Sequence, residues 1–153
     1  MRRVAALTLL PLIGAAPAPV PHGKITSIEV RLFDPRKADF TENVLKDGLY
    51  VGWNTFMLEG NAGYGSGDAL VLVRTAIVNP SEACCSIGAP LTITARNKGK
   101  VLAQRRFTDI PTAGGEVTRA LYLQNIGCAG DIVISAALEG QTKAARLHLE
   151  CGE

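Results

Sequence analysis

Residues 128–151 read CAGDIVISAALEGQTKAARLHLEC, and the alternation within them decides the fold. Ala145, Leu147, Leu149 and Cys151 fall on one face of an extended segment, with Arg146, His148 and Glu150 on the other. Upstream, Ile132, Ile134 and Ala136 make the matching apolar face. A tight turn at Glu139-Gly140 sets Ile134 opposite Ala145 and Ile132 opposite Leu147, and the same register brings Cys128 opposite Cys151. Directly opposed residues of an antiparallel pair lie about 4.5–5.5 Å apart at Cα, within a disulfide's reach, so a Cys128–Cys151 bridge is expected without distortion. A slip of one residue would forfeit the bridge and turn every leucine outward.

A second hairpin precedes it. Leu91, Ile93 and Ala95 alternate with Thr92, Thr94 and Arg96, and Val101, Ala103 and Phe107 continue the apolar face. Asn97-Lys98-Gly99 has the composition of a three-residue turn closed by a left-handed glycine, which predicts Ala95 opposite Val101 and Ile93 opposite Ala103. Extending the reading gives about eight β-like runs, at 25–33, 49–58, 69–78, 90–96, 100–108, 116–124, 131–138 and 143–151, with one helical turn expected between Asp39 and Leu45. Short strands separated by turns, with no sustained helical period, make an all-β antiparallel sandwich over residues 24–153. An immunoglobulin-like arrangement is the first expectation and a small β-barrel the alternative. It departs from antibody domains because the one tryptophan, Trp53, precedes all the cysteines, and the expected bridge joins neighbouring strands rather than two sheets.

The length of 153 residues fits a single domain of this kind. Met1-Arg2-Arg3 followed by an apolar run to Ala16 has the form of a secretory signal peptide, taken as residues 1–18 with cleavage between 16 and 21. The run falls short of the ~20 apolar residues a membrane span needs, and Pro11 interrupts it, so no transmembrane segment is expected. The formal charge of +2 belongs to that leader: it holds Arg2, Arg3 and no acid, which leaves the rest with 14 basic and 14 acidic residues. A neutral domain carries no nucleic-acid footprint. The expected location is the periplasm or the extracellular space, where four cysteines meet oxidising conditions. The adjacent pair Cys84-Cys85 reads as one buried thiol and one incidental thiol in a turn, because no partner follows at metal-ligand spacing.

No catalytic motif is present. Gly63-Tyr64-Gly65-Ser66-Gly67-Asp68 lacks the glycines two residues either side of the serine that a nucleophile elbow needs, and lacks the lysine of a phosphate loop. Beyond the leader, His22, His148 and Met57 are too few for a copper or catalytic zinc site. The long glycine-rich loop is nevertheless the most unusual segment. Trp53, Asn54, Glu59, Asn61, Tyr64, Ser66 and Asp68 are the candidate binding residues, aromatic faces beside oxygen donors suited to a protein or glycan partner in the cell envelope. Calcium is the one cofactor those oxygens suit, and Glu59 with Asp68 is the acid–base pair a small hydrolase would use. Asp34, Asp39, Glu42 and Asn43 form a second polar turn. Lys98, Lys100, Arg105 and Arg106 cluster on the central hairpin, where charge blocks edge-to-edge strand pairing. A non-catalytic exported binding module, working through the 59–68 loop or an exposed strand edge, is the functional expectation.

Overall fold

The computed structural model of the chain describes residues 22–46, 49–51, 67–78, 86–111 and 115–150. Residues 1–21, which include the expected leader and cleavage region, the segment 52–66, Cys84, Cys85 and Cys151 lie outside them. Two sheets face each other. One has the order β2-β1-β4-β9, from β1 (Gly23–Asp34), β2 (Asp39–Phe40), β4 (Ala69–Ile77) and β9 (Glu116–Leu123). The other has the order β3-β11-β10-β6-β7, from β3 (Leu49–Val51), β6 (Leu91–Asn97), β7 (Lys100–Phe107), β10 (Gly130–Leu138) and β11 (Gln141–Glu150). A short ladder of β5 (Ser86–Ile87) with β8 (Ile110–Pro111) crosses one end.

This connectivity is immunoglobulin-like. Strands β1, β4 and β9 take the places of A, B and E, while β11, β10, β6 and β7 run in the order G, F, C and C′, so the chain changes sheet between β4 and β6 and again between β7, β9 and β10. The two sheets remain separate, which makes a sandwich rather than a closed barrel. Alternation explains the core: Ile28, Val30 and Leu32 of β1, Val71 and Val73 of β4, Ile132 and Ile134 of β10, and Leu147 and Leu149 of β11 are all buried between the sheets. No helix among the described residues is long and apolar enough to cross a membrane.

The last hairpin adopts the register read from its sequence, with Ile134 opposite Ala145 and Ile132 opposite Leu147. Its turn residues Glu139 and Gly140 have φ of 50° and 76°, the doubly left-handed geometry whose twist matches the flanking strands. The Glu139 carboxylate then accepts the Gly23 N–H at 3.0 Å, joining this turn to the start of β1. Packing is close there: a Cβ at position 23 would sit 2.6 Å from Ile87 Cδ1 and 2.9 Å from Leu138 Cδ2, so those side chains would have to shift to admit it.

The β6–β7 hairpin departs from expectation. Ala95 pairs with Ala103 rather than Val101, Ile93 with Arg105 rather than Ala103, and Asn97 with Lys100. The cause is the turn: Lys98 is left-handed (φ 46°) as well as Gly99 (φ 81°), so the loop has two residues, and Leu102 is taken up as a bulge. Asn97 stays in the ladder because its amide donates to the Ala129 carbonyl at 2.6 Å and the Asp131 carbonyl at 2.8 Å. A shift of two residues preserves the faces, so Arg105 stays on the inward-facing side of an edge strand and comes opposite buried Ile93. The helical turn expected between 39 and 45 is a single 3-10 turn at Val44–Lys46, preceded by β2.

Candidate functional site

Trp53, Asn54, Glu59, Asn61, Tyr64 and Ser66 lie outside the described residues, so Asp68 is the one candidate of the glycine loop whose surroundings are defined. It staples three elements together. Asp68 Oδ2 accepts the Tyr122 hydroxyl at 2.5 Å, Oδ1 accepts the Asn125 N–H at 3.2 Å, and its carbonyl accepts the Phe33 N–H at 3.0 Å. The neighbouring Gly67 carbonyl accepts the Ile126 N–H at 2.6 Å. The hydrogen bond to the carboxylate, followed by desolvation and the nearby negative charge, holds the Tyr122 phenol above its ordinary pKa. Asp68 Oδ1 and the Gly67 carbonyl therefore hold the 124–129 turn against the start of β4, while Oδ2 holds Tyr122 of β9.

The second polar turn closes a sheet edge. β2 pairs with the end of β1 through Phe33 with Phe40 and Asp34 with Asp39. Thr41 Oγ1 accepts the Leu32 N–H at 3.0 Å, while Asn43 Oδ1 accepts those of Val30 at 3.0 Å and Leu45 at 3.2 Å. Asp34, 5% exposed, accepts the Arg36 N–H at 3.0 Å and pairs with its guanidinium at 3.3 Å, and this partner lowers its pKa. Side chains here stand in for a missing neighbouring strand. On the other sheet, β3 runs parallel to β11 and covers the last three residues of that edge with the pairs Leu49–His148, Tyr50–Leu149 and Val51–Glu150.

Among the described residues no strand pairs outside β7 or β9, the other ends of the two sheets, and these two strands lie along the same side of the sandwich. Between them runs a groove of about 500 Å³ lined by Arg105, Arg106, Phe107, Asp109, Thr118 and Arg119. Arg105 donates to the Ala120 carbonyl at 3.5 Å and lies 4.8 Å from the Phe107 ring centroid. From β9, Arg119 donates to the Asp109 carbonyl at 3.1 Å and lies 5.7 Å from the same ring. Phe107 is held between two guanidinium groups, a cation–π arrangement that fixes both. Arg119 faces inward like Arg105, since it sits opposite the buried Val73. Among the described residues, none of Arg105, Arg106 and Arg119 has a carboxylate at ion-pair distance. Sequence reading picks out Arg105 and Arg106 but misses Arg119, because strand order alone brings β9 beside β7.

On the outer face of the five-stranded sheet, His148 Nδ1 lies 2.7 Å from Asp131 Oδ1 and Nε2 lies 3.3 Å from Glu150 Oε1. These two carboxylates, Asp131 foremost, raise the imidazole pKa, and the imidazole in turn lowers that of Asp131. Among the described residues, no group of three or more His, Cys, Asp or Glu is arranged to hold a metal ion. Cys128 is disulfide-bonded. It lies in the turn just before β10, whose ladder with β11 begins at Gly130 opposite Leu149. No protein-family model matches the chain, and no curated protein matches it in sequence.

Proposed function

We propose that the protein is an exported, non-catalytic binding module that engages a protein partner along the β7–β9 side of its sandwich. The leader-like residues 1–18 support export, and the sequence register through Cys128 and Cys151 supports a bridge formed in an oxidising compartment. One observation carries the binding reading. Among the described residues, the end of the β1 edge is covered by β2, Thr41 and Asn43 and the end of the β11 edge by β3, while β7 and β9 have no strand paired outside them and are neighbouring edges around a groove with three arginines. An unpaired edge presents a row of N–H and C=O groups to an extended partner, and proteins that do not use such an edge cover it. Of the two contact routes legible in the sequence, the strand edge is the one with a defined geometry behind it.

The test is position-dependent photo-crosslinking in envelope extract. A photoreactive side chain at Leu102, exposed beside the β7 edge, is compared with one at Thr142, exposed on β11. Adducts from position 102 that disappear on Arg106→Glu support the reading. Adducts from position 142 alone, or from neither position, overturn it.

A further inference from the structure

We infer that the partner of the β7–β9 groove is an extended peptide segment bearing two consecutive acidic residues, which adds to the sheet as a strand beside Ala103–Phe107. This rests on the binding reading above and specifies its ligand. Three features of the groove point to it.

First, the charge there is uncompensated. Arg105, Arg106 and Arg119 surround one groove with Asp109 as its only acidic lining residue and with no ion pair to any of the three among the described residues. The chain beyond the leader is formally neutral, so this density is local rather than a reflection of composition. Second, the guanidinium groups alternate between faces. Arg105 pairs with the core residue Ile93 and so stands on the inner face of β7, whereas Arg106 pairs with Thr92 and stands on the outer face. An added strand also alternates, with successive side chains on opposite faces. One acidic residue then meets Arg105 and Arg119 on the inner side, and its neighbour meets Arg106 on the outer side. A guanidinium takes a carboxylate in a two-pronged hydrogen bond, and here two of the three are already oriented by Phe107 and backbone carbonyls. Third, the receptive stretch has a defined end. The bulge at Leu102 interrupts the ladder, and Val101 and Leu102 remain 41% and 40% exposed beyond it. An aliphatic residue three or four positions from the acidic pair would cover them.

The experiment uses the full chain purified from an exporting host. The probe is an amidated, fluorescently labelled octapeptide of alternating threonine and valine carrying one adjacent Glu-Asp pair. Anisotropy measures its affinity, and amide exchange followed by NMR reports on Gln104 and Arg106. Expected are saturable binding, slowed exchange at β7, and a loss of affinity of roughly tenfold on replacing the acidic pair by Gln-Asn. Arg106→Gln, an exposed change away from the core, is expected to weaken binding by a similar factor; Arg119→Gln tests the opposite wall. Equal affinity for the Gln-Asn peptide, no binding, or tighter capture of a heparin-derived oligosaccharide with β7 exchange unchanged would each overturn the inference. If the peptide fails while position 102 still crosslinks a protein, the ligand assignment falls and the edge-binding reading stands. If both fail, both fall.

Discussion

Replacing Asn43 with alanine tests whether the β1 edge is closed by the side chains assigned to it. Asn43 Oδ1 accepts the backbone N–H of Val30 at 3.0 Å and of Leu45 at 3.2 Å. Val30 is fully buried, so removing the amide leaves its N–H without the acceptor that satisfies it. An orphaned buried donor costs about 1–3 kcal/mol, and the second bond, at half-buried Leu45, contributes at most ~1 kcal/mol because water can replace it. The expected loss is about 2 kcal/mol. For a domain of this size that corresponds to a fall in Tm of roughly 8 °C. Asn43→Asp keeps an acceptor at the same place and is expected to recover most of the loss. Thermal and urea unfolding give the magnitude, and amide exchange at Val30 shows whether the affected bond is the one named. An Asn43→Ala protein within about 0.5 kcal/mol of the parent, or an Asn43→Asp protein as unstable as the alanine variant, would refute the edge-closing role.

Three further outcomes follow from the same geometry. His148 has its pKa raised by Asp131 and Glu150, so its contribution is complete below the ordinary histidine value of about 6.5 and is lost as pH climbs through the raised value. Asp131, lowered by His148, contributes above the ordinary aspartate range and loses that contribution as pH falls through its depressed value. The stability advantage of the parent over His148→Gln is therefore expected to be greatest at mildly acidic pH and to shrink toward pH 9, as urea titrations across that range would show. Ile134→Ala removes a fully buried side chain from a central strand and is expected to cost roughly 2–5 kcal/mol in urea unfolding. Peptide mapping without reduction is expected to recover Cys128 joined to Cys151, and linkage of Cys128 to Cys84 or Cys85 would contradict the pairing read from the sequence.

The fold class was legible from hydrophobic phase, whereas a register was legible only where no distant contact altered the turn. At Glu139-Gly140 turn chemistry and hydrophobic phase point to one register, and the structure adopts it. At Asn97-Lys98-Gly99 both pointed to a register the structure does not adopt, because Asn97 looks like a turn residue yet is kept in its strand by hydrogen bonds to the carbonyls of Ala129 and Asp131, more than thirty residues away. A left-handed lysine is likewise invisible to propensity, since bulky residues pay for that conformation unless the context imposes it. The polar turn at 34–43 illustrates a different limit. Its composition suits a ligand site as well as an edge closure, and only the positions of the Val30 and Leu32 N–H groups show which donors those oxygens accept. The groove was half legible: Arg105 and Arg106 are neighbours in sequence, but Arg119 reaches them only through the immunoglobulin-like order of strands.

Edge protection and partner recognition are usually treated as alternatives for a charged strand, but on β7 they are the same electrostatics seen by two partners. Two copies of this chain meeting edge to edge would bring Arg105 and Arg106 of one against those of the other, and like charges across a strand pair are destabilising. An acidic strand meets the complement of that pattern. A surface built this way gains discrimination from repulsion of the wrong partner as much as from attraction to the right one. Neutralising the side of the sandwich with Arg105→Gln and Arg106→Gln should therefore do two things at once: weaken an acidic peptide and permit self-association through β7. Size-exclusion chromatography with multi-angle scattering reads the second effect and anisotropy the first. Self-association with undiminished peptide affinity would show that the arginines guard the edge without recognising anything on it, and the link between an uncovered edge and a specific partner would be broken.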